Sequence, residues 1–209
     1  MTETRSYRDQ HVKTACSSCS VLELCLPLGL TGVEIERLDT LIIQRLKVKK
    51  GSALYRAGDP LRSLYAVRLG SFKTSVLSID GREQVTGFQI PGEMLGLDAI
   101  STDQHTCDAV ALEDSEVCPI HFAHLEKLAR ELPSLQHNLN KILSREIVRD
   151  HDMMMMLGNM NSDERLAAFL LNMSQRLNSR GYSSRNFVLK MRREEIGSYL
   201  GLRLETVCR

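Results

Sequence analysis

Between residues 48 and 120 the chain is punctuated by turn signals too often for any helix of ordinary length. "KKGS", "RAGDP", "RLGS", "IDGRE", "IPGE" and Gly96 arrive at short intervals. The runs between them, such as "LYAVRL", "FKTSVL" and "VTGFQI", are short and rich in Val, Leu, Phe and Tyr. Such residues fit a half-buried pleated surface, and many short strands at this spacing imply an antiparallel sandwich or barrel. Asp80-Gly81 in "IDGRE" predicts a tight hairpin with the positive φ angles of a primed turn.

After Pro119 the pattern changes. Glycine is absent from 121 to 157 and Pro133 is the one interruption. A long helix over about 134–157 follows, with Ser134 as its cap and Gly158-Asn159 as its stop. Along it Asn140, Leu143, Ile147, Asp150, Met154 and Leu157 are separated by steps of 3, 4, 3, 4 and 3, the spacing of a coiled-coil seam. A helix packed on its own β domain shares much of this pattern, and "MMMM" at 153–156 suits either arrangement. In a parallel two-fold pair Asp150 meets its own copy, so such a seam is expected to sit near dissociation.

In the last segment Ser162 or Asp163 is expected to cap a helix carrying Leu166, Phe169, Leu170, Met173 and Leu177 on one face. Gly181 breaks it, and "NFVLKM" reads as a short strand. "RREEIGSYLGLRLETVCR" then reads as a helix over 192–200, a turn at Gly201-Leu202 and a second helix opening near Leu204, which is a helix-turn-helix pattern. The whole chain carries 27 basic and 26 acidic residues, formally +1, which decides nothing about partners. From 176 to 209, however, eight Lys/Arg face three Glu, a modest basic footprint suited to a polyanion.

Three of the six cysteines lie within "ACSSCSVLELC". A chain of 209 residues buries a core that needs no covalent staple. The opening "MTETRSYRDQHVKTA" lacks the apolar run of a secretion signal, and no stretch approaches the roughly 18 apolar residues of a membrane span. The chain reads as soluble and cytoplasmic, a compartment where thiols stay reduced and a cysteine cluster indicates metal or redox work. The spacing is Cys16-x2-Cys19-x5-Cys25, with Cys107 and Cys118 competing as a fourth thiol. Iron-sulfur clusters take four thiolates. Structural zinc also takes four, more often from two CxxC pairs, and spacing alone leaves both metals open.

Taken in order, "CSSCSVLELC", "KKGSALYRAGDPLRSLYAVRLGSFKT…DGREQVTGFQIPGEMLG", "EVCPI", "SREIVRDHDM" and "DERLAAFLLN…EEIGSYLGLRLETVCR" resemble the FNR branch of the cyclic-AMP-receptor-like transcription regulators over almost the whole chain. The resemblance implies an α+β fold: a cyclic-nucleotide-binding-like β-roll (jelly roll), a long dimerisation helix and a C-terminal winged helix-turn-helix. It divides the chain into a cluster-binding segment (1–30), the β-roll (31–132), the dimerisation helix (133–158) and a DNA-binding unit (159–209). It also implies one 4Fe-4S cluster per subunit on Cys16, Cys19, Cys25 and Cys118, which oxygen converts to a 2Fe-2S form that no longer supports the homodimer. Ser20 and Leu24 match positions that tune oxygen access, and Cys107 is left as a small buried side chain or an incidental thiol. The dimer interface falls on Leu143, Ile147, Asp150, Met154 and Leu157.

The same resemblance implies a global anaerobic transcription regulator that binds double-stranded DNA at TTGAT half-sites. Glu205, Cys208 and Arg209 share one helix face at i, i+3 and i+4. Glu can accept from cytosine N4, and Arg can grip guanine O6/N7. Cys208 departs from the family's serine, and a thiol is a weaker hydrogen-bonding partner. RNA polymerase is expected to touch β-roll loops, one at Gly81-Arg82, where the family commonly carries an acidic residue in place of Arg82. The family continues past Arg209, so the chain reads as truncated within its recognition helix. Ile196, Leu200, Leu202 and Val207 are then expected to be under-packed, and DNA binding weak.

"PGEMLGLDAISTDQHTCDAVAL" lacks the Arg-Ser or Arg-Thr pair that grips a cyclic nucleotide phosphate in this fold. A phosphate without a guanidinium loses its charge-assisted hydrogen bonds, so no cyclic nucleotide is expected, and Glu93 reads as a turn residue. Haem ligation by His11, His105, His121 or His124 leaves the three close cysteines unexplained. No nucleophile elbow, P-loop, HExxH or paired-carboxylate site in a plausible arrangement is present, so an enzyme is not expected. The reading of a different class is a cluster- or zinc-binding dimerisation protein without DNA activity.

Overall fold

The computed structural model describes residues 16–42 and 44–209. Eight short strands, β1 (Leu46–Val48), β2 (Ala53–Tyr55), β3 (Ser63–Leu69), β4 (Phe72–Leu77), β5 (Glu83–Gln89), β6 (Met94–Leu95), β7 (Asp108–Ala111) and β8 (Ser115–His121), build two four-stranded antiparallel sheets. Their orders are β1-β8-β3-β6 and β2-β7-β4-β5. The sandwich expected from the turn spacing is therefore present, closed on a core of Val67, Phe72, Leu95 and Val117. The β4–β5 hairpin is present too, but its turn differs from expectation. Within it only Gly81 has a positive φ, 81°. Gly81 N–H bonds to Ser78 O and Ser78 N–H to Arg82 O, which is a three-residue loop with glycine in the left-handed position. Asp80 keeps a negative φ while Arg82 Nε binds its carboxylate at 2.6 Å.

Helix α1 (Gly32–Asp39) precedes the strands, opened by a Thr31–Glu34 capping box. Helices α2 (Phe122–Glu131) and α3 (Pro133–Asn159) follow them. The long helix thus starts one residue earlier than Ser134 and has no side-chain cap. Pro133 fills the first turn, where a missing N–H costs nothing, and the Ser134 hydroxyl donates to Glu34 of α1 instead. Gly158 and Asn159 remain helical, and the chain turns away at Met160. Helix α4 (Ser162–Asn178) is capped by Asn161, not Ser162 or Asp163: Asn161 Oδ1 accepts from Asp163 and Glu164 N–H at 3.0 and 3.1 Å. Phe169 and Met173 are buried, whereas Leu170 rotates out to solvent with Leu171.

"NFVLKM" forms no strand. Phe187, Leu189 and Met191 point inward and Val188 outward, so the two-residue alternation is real, but the inward side chains pack on α4 and β5 and no neighbouring strand pairs with the backbone. Helices α5 (Arg193–Leu200) and α6 (Leu204–Cys208) make the helix-turn-helix, joined through Gly201 at φ 63°. Their close crossing needs Gly197, where a Cβ would meet Leu202 O at 2.8 Å. Helix α5 docks on edge strand β5: Val85 N–H donates to Ser198 Oγ (2.9 Å), and Lys73 Nζ lies between Glu83 (2.7 Å) and Glu195 (3.2 Å). That docking overturns the expected under-packing. Ile196 and Leu200 are buried among Val85, Phe88 and Phe169, and Leu202 and Val207 pack against the same cluster. Among the described residues no helix is long and apolar enough to cross a membrane.

Candidate metal centre and nucleic-acid interface

Consecutive tight turns fold the cysteine segment back on itself. Cys19 N–H bonds to Cys16 O at 2.9 Å, Leu22 N–H to Cys19 O at 3.2 Å and Cys25 N–H to Leu22 O at 3.4 Å. Cys118 comes from β8, opposite Ala66 of β3, whose small side chain leaves room at that level. Cys16, Cys19, Cys25 and Cys118 line one cavity, with walls including Leu22, Leu26, Ile42 and Ile120. Cys107 lies elsewhere, buried between the sheets with Tyr55 and Phe72. Burial pushes the Cys25 thiol up to about 12. It raises Cys16 as well, helped by a hydrogen bond with Asp39, and Cys118, against the opposing charges of Arg45 and Arg68. A metal entering here displaces protons as it binds.

The donor set, four thiols in an apolar surround, suits an iron-sulfur cluster and also a four-cysteine zinc site. Among the described residues no three His, Cys, Asp or Glu side chains converge tightly enough for a single ion. The cavity that these cysteines help to line holds about 20 Å³, the room of roughly one water. Seating a cluster therefore requires the cysteine segment to shift outward. His105 is stacked on Tyr55 at 3.7 Å, His121 and His124 pair at 4.7 Å, and His11 lies outside the described residues.

The segment is tied to its surroundings at three points that its sequence did not announce. Cys16 N–H donates to Asp39 Oδ1 of α1 at 2.5 Å. Asn138 of α3, buried, donates to Leu26 O (3.2 Å) and Leu28 O (2.7 Å). Leu24, beside Cys25, packs so closely on the turn between β5 and β6 that a Cβ at Gly92 would meet its own Cβ at 2.7 Å. Ser20 is exposed and Leu24 half-buried.

Glu93, in that same turn, is more than a turn residue. It accepts from Ile90 N–H at 3.0 Å and gathers three guanidiniums: Arg176 (2.6 Å) and Arg180 (3.0 Å) from α4, and Arg149 (3.6 Å) from α3. Burial pushes its carboxyl up, but the charges of Arg176, Arg149 and Arg180 outweigh burial and hold it below the usual carboxylate range. Two of the eight basic residues counted toward a DNA footprint, Arg176 and Arg180, thus face inward. Arg185, Arg193, Arg203 and Arg209 are exposed.

On α3, Ile147 and Met154 are 55% and 62% exposed, Asp150 and Leu157 are exposed and Leu143 is half-buried. Val148 and Met155 widen the same uncovered apolar strip. On α6 and its C-cap, Glu205, Cys208 and Arg209 are all exposed.

The model of the cyclic nucleotide-binding domain matches residues 45–131, and that of the Crp-like helix-turn-helix domain matches 164–209. The chain is 50% identical to the transcriptional regulatory protein btr of Bordetella pertussis, over 93% of this chain and 80% of that protein. It is 46% identical to the transcriptional activator protein Anr of Pseudomonas protegens (95% and 82%) and 45% to the fumarate and nitrate reduction regulatory protein of Yersinia pestis (93% and 78%). Among solved structures, FixK2 from Bradyrhizobium japonicum is 32% identical with a TM-score of 0.70, covering 79% of this chain and 81% of that one.

Proposed function

This chain belongs to the Crp/FNR family of DNA-binding transcription regulators, not to a family of enzymes, and on that premise we propose that it is an anaerobic regulator that senses oxygen through a 4Fe-4S cluster held by Cys16, Cys19, Cys25 and Cys118. The observation that carries this reading is the cavity itself, which collects three thiols from one short segment and the fourth from β8 while leaving Cys107 in another core. When bound, the cluster supplies an oxygen-reactive redox group and a covalent tie between segment and β-roll.

The rest is done by the chain's own residues. Leu22, Leu26, Ile42 and Ile120 keep water from the thiols. Ser20 and Leu24 stand where oxygen must pass. Asn138 fixes the segment to α3, and Leu24 presses on the Gly92-Glu93 turn that holds Arg149, Arg176 and Arg180. A displaced segment therefore pulls on the dimerisation helix and on the helix leading into the DNA-binding unit. The homodimer forms along Leu143, Ile147, Met154 and Leu157, with Asp150 opposing its own copy so that a small push decides association. Glu205 and Arg209 read a TTGAT half-site in double-stranded DNA, with Cys208 a weaker contact between them. RNA polymerase is engaged at the hairpin tip around Gly81-Arg82, beside the exposed Leu77 and Ile79. No cyclic nucleotide belongs to this reading, because residues 97–112 contain no Lys or Arg to meet a phosphate and do contain Asp98.

Purification without oxygen tests the proposal. Brown protein with about four irons per chain, bleaching in air and shifting a TTGAT palindrome only before bleaching, is the expected result. Colourless protein with one zinc per chain overturns it.

A further inference from the structure

Beside the cysteine cavity two guanidinium groups hold donors that bind nothing. Arg45 Nε and Arg68 Nε are buried without a hydrogen-bond partner, a rare condition because a buried orphan donor has lost water and gained nothing. Both arginines lean on one carboxylate: Arg68 Nη1 is 3.0 Å from Glu116 Oε1, and Arg45 Nε is 3.5 Å from the same oxygen, close enough for ion pairing but not placed to donate. One negative charge thus faces two positive ones, and all three side chains are largely buried.

Strand register explains how the charge comes to lie there. Along β3 and β8, Ala66 pairs with Cys118 and Val67 with Val117, after which the register slips and Leu69 meets Glu116. Arg68 is the extra residue of that bulge. Bulges re-aim side chains, and Arg68 lines the cavity with all four cysteines. A 4Fe-4S unit with four thiolates is an anion, and an anion in an apolar cavity is stable only where cations and donors face it.

Resting on the cluster reading above, we propose that Arg68 and Arg45 are the counter-charges of the cluster site, Arg68 giving its free Nε–H to sulfur while Glu116 braces both guanidiniums at the cavity wall. They are positioning residues and not ligands. Hydrogen bonds to sulfur and nearby positive charge raise a cluster's reduction potential, so these two side chains set how readily the bound group is oxidised.

The test is a redox titration of the full chain, loaded without oxygen, as wild type, Arg68→Met and Arg68→Lys. Iron and sulfide content and the unfolding temperature of the metal-free chain are measured alongside. Arg68→Met is expected to retain the cluster, with its oxidised-to-reduced ratio at a fixed potential raised about tenfold, a midpoint lower by about 59 mV for one electron. Arg68→Lys keeps the charge but not the Nε–H and should fall between. Where Arg68→Met does not fold, Arg68→Lys carries the comparison. An unchanged potential in a variant that holds a full cluster overturns the counter-charge role and leaves the cluster reading standing. Wild type without iron and sulfide overturns both.

Discussion

Replacing Glu93 by Gln keeps the shape of the side chain and removes the carboxylate shared by Arg176, Arg180 and Arg149, leaving Glu146, 3.0 Å from Arg149, as the other carboxylate of the group. At an effective dielectric of about 20, each charge pair at about 4 Å is worth roughly 4 kcal/mol before solvation is counted. Desolvating four ions offsets most of that sum, but removing Glu93 leaves Arg176 and Arg180 largely buried without a carboxylate partner, which costs about 3–5 kcal/mol. Glu93 and Arg180 are only 11% and 8% exposed, so solvent screening recovers little. For a chain of this length such a loss lowers the unfolding temperature by roughly 6–20 °C. The carboxyl is held below its ordinary range, so its contribution is complete above the unfolded value of about 4.3. It is lost as pH falls through the depressed folded value. Thermal unfolding followed by circular dichroism should show the full wild-type-to-Glu93→Gln gap at pH 7 and a shrinking gap below pH ~4. A gap under about 2 °C at pH 7, or one that stays constant into acid, refutes the assignment of stability to this charge.

Cys118→Ala should lose iron from protein prepared without oxygen, whereas Cys107→Ala should keep it; iron per chain decides, and the reverse pattern means that the fourth ligand is wrong. Gly92→Ala forces a Cβ within 2.7 Å of Leu24 at φ 90°, so the cysteine segment should seat poorly and the absorbance of loaded protein should decay faster in air than that of wild type. Asp150→Ala should raise the dimer fraction of metal-free protein in sedimentation, and an unchanged monomer fraction would count against a seam at that position. Arg209→Ala should weaken binding to a TTGAT palindrome by about 1–3 kcal/mol, roughly 5–150-fold; equal loss on a site with the guanine replaced would show the contact to be unspecific.

Much of the architecture was legible because it depends on neighbours in the chain. Turn residues at short intervals demanded short strands, since glycine and its companions fix backbone angles wherever they occur. The glycine-free run after Pro119 demanded a helix, and the "IGSYLGL" stretch a tight helix pair. Boundaries and caps were read less well. Ser134 caps nothing and is drawn to Glu34 instead, while Asn161 takes the role expected of Ser162 or Asp163, because a cap depends on which side chain reaches the free N–H groups. "NFVLKM" had a strand's alternation without a strand's partner.

The sequence by itself determined what a few adjacent residues can settle: short strands, helices, the glycine turn and three thiols close enough to share a metal. Only the tertiary structure decided which distant groups meet. It set Cys118 in the cavity and Cys107 in another core, turned Arg176 and Arg180 inward to Glu93, and aimed Arg68 through a bulge at the thiols. The reason is physical. A charge or thiol has no periodicity to betray its partner, and its energy depends on burial and on distances of a few ångströms that exist only once the sheets have closed.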